Sequence, residues 1–169
     1  MNNSIKEQLV EAFDGIQVNT GNHGMILNTM KESVMSVLSF LKNHGYNHLG
    51  LVSCVDWIDD NEFELVYVLS AYMLKDNEHT DKEKMNIILK TRIPRERASF
   101  LSVIPVFENA EPYEREIHEL FGIHFEGHPR LIPLLLEREY EIPPFRKDFD
   151  NREYVKKTFD SIPSVEKKA

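Results

Sequence analysis

Residues 49–69 read LGLVSCVDWIDDNEFELVYVL, two alternating apolar runs on either side of Asp59-Asp60-Asn61. Leu49, Leu51, Val55 and Trp57 share one parity in the first run, and Phe63, Leu65, Tyr67 and Leu69 share one in the second. Side chains two apart lie on one face of a strand, so each run predicts a strand with one buried face. The short acidic turn between them predicts an antiparallel pair. After a charged loop, Lys75 to Glu83, the alternation returns in Met85, Ile87, Leu89 and Ile93. Three such runs predict an antiparallel meander with one face left for helices. Cys54 lies among apolar neighbours in the first run and reads as buried.

Upstream, Ser4 with Glu7 forms a capping box ahead of the helical stripe Ile5, Leu9, Ala12 and Phe13, which stops at Gly15. Ile16 to Asn19 and Met25 to Leu27 predict a small hairpin around Gly21-Asn22-His23-Gly24. Thr29 with Glu32 is a second capping box, opening a helix whose face carries Met30, Val34, Val37, Leu38 and Leu41 and whose stop is Gly45. Downstream, Pro112 suits the first turn of another helix and Gly122 its C-terminal cap. The order α-ββ-α-βββ-α predicts an α+β fold: an antiparallel or mixed sheet of three or more strands, helices packed on it, and an extended C-terminal arm. The expected division is an α+β domain over residues 1–122 and an arm over residues 123–169.

On the helix that ends at Gly122, Tyr113, Ile117, Leu120 and Phe121 cluster on one face, at about 100° per residue. Arg115 and Glu119 lie nearly opposite, four apart, and are expected to pair. Glu114 and Glu116 flank the apolar stripe, where carboxylates tend to be half-buried and hydrogen-bonded. One reading makes this an ordinary charged rim; the other makes Arg115 and Glu116 anchors that order the following loop or a partner. Two residues apart on a helix, Glu114 and Glu116 diverge too far to act as a catalytic pair. Among the histidines, Gly127 and Pro129 break the helix that a zinc pair His124/His128 would need. His128 is expected instead to donate a hydrogen bond that shapes the Gly-His-Pro turn. None of the 7 glycines is spaced as a phosphate-binding loop, and no Ser/His/Asp set stands out.

Composition narrows the class. The chain has 169 residues, a one-domain length with 41% hydrophobic content and so enough apolar material for a core. Lys and Arg number 20 against 28 Asp and Glu, a net charge of −8, which opposes nucleic acid and anionic lipid. No apolar run approaches the roughly 20 residues of a membrane span, and the amphipathic N-terminus is not a secretory signal. The expectation is a soluble, cytoplasmic chain. Its single cysteine cannot hold an iron–sulfur cluster, which takes about four thiolates.

Past Gly122 regular patterning gives way to prolines 129, 133, 143, 144 and 163. Leu134-Leu135-Leu136 follows Pro133, with Tyr140, Ile142 and Phe145 at uneven intervals. Such a run either folds back on its own domain or lies on another protein, its apolar anchors filling pockets while Arg146, Lys147 and Asp148 make directed ion pairs. Arg146 can grip a carboxylate with two nitrogens and Lys147 cannot, so Arg146 is the expected orientation-setter.

Glu114-Arg115-Glu116, Glu119-Leu120-Phe121-Gly122-Ile123, Phe125-Glu126-Gly127-His128-Pro129 and Arg146-Lys147-Asp148 together resemble the signature of the C-type (30 kDa-like) subunit of NADH–quinone oxidoreductase, complex I. The membrane-bound, energy-converting [NiFe] hydrogenases have a related subunit. Val55-Asp56, Phe63-Glu64-Leu65-Val66-Tyr67 and Ser102-Val103 extend the resemblance, which spans roughly residues 46 to 150. It implies a non-catalytic, hydrophilic peripheral-arm subunit of a membrane-bound, ion-translocating oxidoreductase, on the cytoplasmic side of the membrane and attached to it only through the complex. The implied partners are a catalytic large subunit (49 kDa-like or hydrogenase-like) and iron–sulfur subunits, which would hold the clusters and any NiFe centre; no cofactor is expected in this chain. The implied interface comprises Glu116, His128, Pro129, Leu135, Phe145, Arg146, Lys147 and Asp148. Ile132-Pro133 stands where NADH-linked members typically carry Arg-Arg after His-Pro-x-Leu, so no anchoring role carries over to those positions. That departure and the compact, unfused chain fit the hydrogenase-like branch better. The alternative class is an independent soluble protein-binding module outside any respiratory complex.

Overall fold

A computed structural model describes residues 4–21, 24–71, 86–136 and 140–158. Its centre is the predicted meander: β3 (His48–Trp57), β4 (Glu62–Ser70) and β5 (Asn86–Pro94) pair antiparallel in sequence order. Ahead of them, β1 (Gln17–Gly21) and β2 (Gly24–Asn28) form the expected hairpin, and β2 then lies parallel to β5. The sheet is therefore mixed, in the order β1-β2-β5-β4-β3. Met85, the charged loop at 75–83, the hairpin tip Asn22-His23 and Pro163 lie outside the described residues.

The buried face is continuous across the strands. Phe63, Leu65, Tyr67 and Leu69 of β4 and Ile87, Leu89 and Ile93 of β5 are buried, as their parity predicts. β3 departs from its prediction. A bulge between Leu49 and Leu51 shifts the register, so Leu49 faces inward but Val52, Cys54 and Asp56 follow it there. Leu51, Val55 and Trp57 are turned to the open face. One extra residue flips every later side chain, and strict alternation cannot foresee it. Cys54 is buried as expected; burial first, and then the nearby Asp56 carboxylate, push its thiol pKa up to about 12.

Helices cover the inward face. α1 (Ile5–Ala12) starts at the predicted Ser4/Glu7 capping box, with Leu9 buried. α2 (Val34–Asn43) buries Val34, Val37, Leu38 and Leu41, but begins later than the Thr29/Glu32 box predicts. The Thr29 amide is drawn instead to the carbonyl of Lys90 on β5, a short 3-10 turn (Lys31–Ser33) intervenes, and Met30 is left exposed. Tertiary pairing to the sheet outcompetes the local cap.

The third helix, α3 (Glu111–Phe121), docks on the β3 bulge: Asn109 donates to the carbonyl of Leu49 at 2.7 Å, and the Tyr113 hydroxyl to that of Gly50 at 3.0 Å. Backbone groups released by the bulge are thus satisfied by the helix and the turn before it. α3 is also the crossover between two short parallel strands, β6 (Ser99–Leu101) and β7 (His124–Glu126), whose Phe100 and Phe125 are buried. The folded body thus continues through β7, past Gly122, before the chain becomes irregular. A further helix, α4 (Asn151–Thr158), follows Asp150, whose carboxylate accepts the amides of Arg152 and Glu153. Among the described residues no helix is long and apolar enough to cross a membrane.

Candidate functional site

Glu111, Glu114, Arg115 and Glu119 of α3 all bond to the chain around them. Glu114 is fully buried; its carboxylate accepts the Val103 amide and the Ser102 hydroxyl, each at 2.7 Å. Burial pushes its pKa up, against the pull of those two bonds. This carboxylate ties α3 to the segment leaving β6, and so fixes the direction in which α3 presents its other side.

On that other side, Arg115 and Glu119 do not pair with one another as predicted. Arg115 pairs with Glu111 at 3.3 Å and donates to the carbonyls of Ile132 (3.0 Å) and Pro133 (2.8 Å). Glu119 accepts three successive amides, of Leu134 (3.2 Å), Leu135 (2.9 Å) and Leu136 (2.6 Å). One helix face thus clasps five consecutive residues, arginine on the carbonyls and glutamate on the amides. Charged partners make these bonds stronger than neutral ones. With its backbone turned inward, the segment directs apolar side chains outward: Ile132, Leu134 and Leu135 are exposed, Leu135 by 63%.

A second clasp holds the chain farther on. Gly122 caps α3 with φ 74°, and the Phe145 amide donates to the Leu120 carbonyl at 3.0 Å. Arg146 Nε donates to the Phe121 carbonyl at 2.7 Å, so the free carbonyls at the helix end are taken by the arm. Asp56, inward on β3 because of the bulge, forms a buried ion pair with Arg95 at 2.8 Å and accepts the Lys147 amide at 2.9 Å. Arg95 also reaches Asp148 at 2.8 Å. Burial alone would raise the Asp148 pKa, but the Arg95 hydrogen bond and charge hold it below the ordinary value.

Between the clasps, His128 Nδ1 accepts the Arg130 amide at 3.0 Å, which leaves Nε2–H to donate to the Glu111 carbonyl at 3.3 Å. The Gly-His-Pro turn is thereby pinned to the start of α3.

The sequence pattern of the family described as respiratory-chain NADH dehydrogenase, 30 Kd subunit, matches residues 27–155, most of the chain and all of both clasps. The chain belongs to that family. The C-type subunit of the F(420)H(2) dehydrogenase of Methanosarcina mazei is 37% identical over 122 residues, covering 71% of this chain and 72% of the relative. The C-type subunit of the NADH-quinone oxidoreductase of Trichlorobacter lovleyi is 30% identical over 154 residues, 87% of this chain and 88% of the relative. Among solved structures, a chain of the membrane-bound sulfane sulfur reductase, an archaeal respiratory membrane complex, superposes with a TM-score of 0.80 at 27% identity, covering 94% of this chain and 91% of that one.

In this member of the 30 kDa family the residues expected at an interface have different fates. Leu135 and Phe145 are exposed, as are Pro129 and Lys147. Arg146 and Asp148 are engaged within the chain, in the second clasp. Glu116 is half-buried, with no hydrogen bond or ion pair among the described residues. Sequence reasoning missed Glu119 and Asp56 as the residues that organise the arm. Asp56 had a signal: a carboxylate two residues from Cys54 on an apolar strand shares whichever face buries the cysteine. Glu119 had none, because its partners are backbone amides.

Proposed function

We propose that the chain is a non-catalytic peripheral-arm subunit of a membrane-bound, ion-translocating oxidoreductase, docking and ordering a catalytic large subunit of the 49 kDa-like or hydrogenase-like type. It lies on the cytoplasmic side and reaches the membrane only through the complex. Iron–sulfur clusters, and any NiFe centre, belong to the partner subunits. The observation that carries this reading is the segment 132–136, whose backbone is bonded to α3 while Ile132, Leu134 and Leu135 stand exposed. A free surface loop gains nothing from ordering apolar side chains toward water. A docking surface does, because preorganisation lowers the cost of binding. The named relatives span F(420)H(2), NADH–quinone and sulfane sulfur systems, which accords with a subunit that positions its partner rather than choosing the substrate.

The test is co-purification. The tagged full-length chain, drawn from solubilised membranes, should bring iron–sulfur and large subunits with it. Leu135→Asp should lose them while the isolated chain keeps its unfolding midpoint. Recovery of the unmodified chain alone would sink the reading.

A further inference from the structure

The turn after β5 and the end of α3 line an open cleft of about 600 Å³ whose lining includes Arg95, Glu96, Arg97, Ser99, His124 and Arg146. Three arginines converge there in a chain of net charge −8, and they are not equally committed. Arg95 is occupied by Asp56 and Asp148. Arg146 uses only Nε, on the Phe121 carbonyl, and among the described residues no carboxylate lies within ion-pair distance of Arg146 or Arg97. The Arg146 guanidinium is stacked on Phe63 at 5.2 Å, with Arg95 over the same ring at 5.5 Å. Arg146 is therefore held in place with its two terminal nitrogens unclaimed by any side chain. Arg97 is exposed, on a turn with φ 50°. Of the nearby carboxylates, Glu126 is drawn off by the Ser99 hydroxyl, and Glu96 stands exposed at the rim.

Two guanidiniums with free donors, one of them fixed on an aromatic ring, form a receptor for oxyanions. We propose that this cleft receives the carboxylate side chains of an acidic peptide segment of the partner subunit. The partner's identity rests on the docking reading above; the chemistry of the cleft does not. Its volume would hold on the order of 20 water molecules, far more than a single small anion displaces. A peptide that brings several side chains suits it better.

The isolated full-length chain can be titrated with an N-acetylated tetraglutamate peptide and, separately, with inorganic phosphate, following backbone amide shifts. Saturable shifts are expected at residues 96–99 and 123–124. The peptide should bind about tenfold more weakly in Arg97→Gln, the scale of one charge-assisted hydrogen bond, and weaken further as salt is raised. Absence of saturable shifts, or phosphate binding more tightly than the peptide, would overturn the proposal. In the assembled complex, Arg97→Lys places an amine at the cleft that carbodiimide should join to an aspartate or glutamate of the neighbouring subunit. A complex that forms but gives no such cross-link overturns the cleft's role while leaving docking through the leucine segment intact.

Discussion

Glu119 accepts the backbone amide of Leu136 at 2.6 Å, and the amides of Leu134 and Leu135 fall on the same carboxylate. One side chain thereby sets the orientation of three leucines, of which Leu134 and Leu135 are exposed and Leu136 is half-buried. Glu119→Ala should leave α3 intact and release the segment. Amide hydrogen exchange at residues 134–136 should accelerate by about tenfold or more, since charged hydrogen bonds each contribute roughly 1.5–3 kcal/mol before exposure reduces them. Recovery of the large subunit should fall in parallel. Unchanged exchange would mean that the proline-rich backbone holds itself.

Asp56 organises the other clasp. In its ion pair with Arg95 the Asp56 side chain is buried and that of Arg95 is 10% exposed, and the carboxylate also takes the Lys147 amide. Asp56→Asn leaves the Arg95 charge to the more exposed Asp148 alone, so the expected destabilisation is about 3 kcal/mol, the range seen when one partner of a buried pair is removed. Urea unfolding checks it, and early protease cleavage near residues 146–148 should accompany it.

Gly122 is required twice over. Its φ of 74° disfavours any side chain, and an added Cβ would lie 2.9 Å from Pro143 Cγ and 3.0 Å from Arg146 Nη2. Gly122→Ala should cost about 1–3 kcal/mol from the backbone alone and also unseat the arm. Arg146→Ala removes the hydrogen bond to Phe121 without the backbone strain. It should therefore free the arm with a smaller loss of domain stability, and Lys147→Ala, whose contact is made by its amide, should do less than either. Limited proteolysis of the three variants ranks them.

Glu114 gives a pH dependence whose sign follows from burial. Its pKa in the folded protein lies above the ordinary 4.5. The folded state therefore holds this proton more tightly than the unfolded chain, and stability from this group declines as pH rises from about 4.5 through the folded-state value. Glu114→Gln removes the titration, while the Ser102 hydroxyl can reverse its bond and accept from the new amide. The stability of the unmodified chain minus that of the variant should fall with rising pH, measured by urea unfolding at each pH. A difference that rises instead would show that the Val103 and Ser102 bonds outweigh burial.

The elements of the fold were legible where local rules and tertiary packing agree. The inward faces of β4 and β5, the Ser4 cap, the hairpin and the glycine end of α3 all follow from periodicity or backbone conformation. The inward face of β3 did not, because a single bulge residue at Leu49–Leu51 carries no side-chain pattern and reverses all that follows. The start of α2 failed for a related reason, since the Thr29 amide found a partner on β5, sixty-one positions along the chain.

By itself, the sequence determined an α+β body with a charged helix and an apolar, proline-broken arm, because burial periodicity and turn chemistry are local properties. Its motif residues also determined the family. Only the tertiary structure decided what the charges do. Arg115 and Glu119 are four apart on one helix, and nothing in their spacing distinguishes pairing with each other from holding five residues of another segment. Asp56 and Arg95 meet because a bulge turns one inward and the turn after β5 brings the other beside it. Charges within hydrogen-bond reach take the partners that folding desolvates with them, and those partners are chosen by long-range contacts that no window of sequence contains.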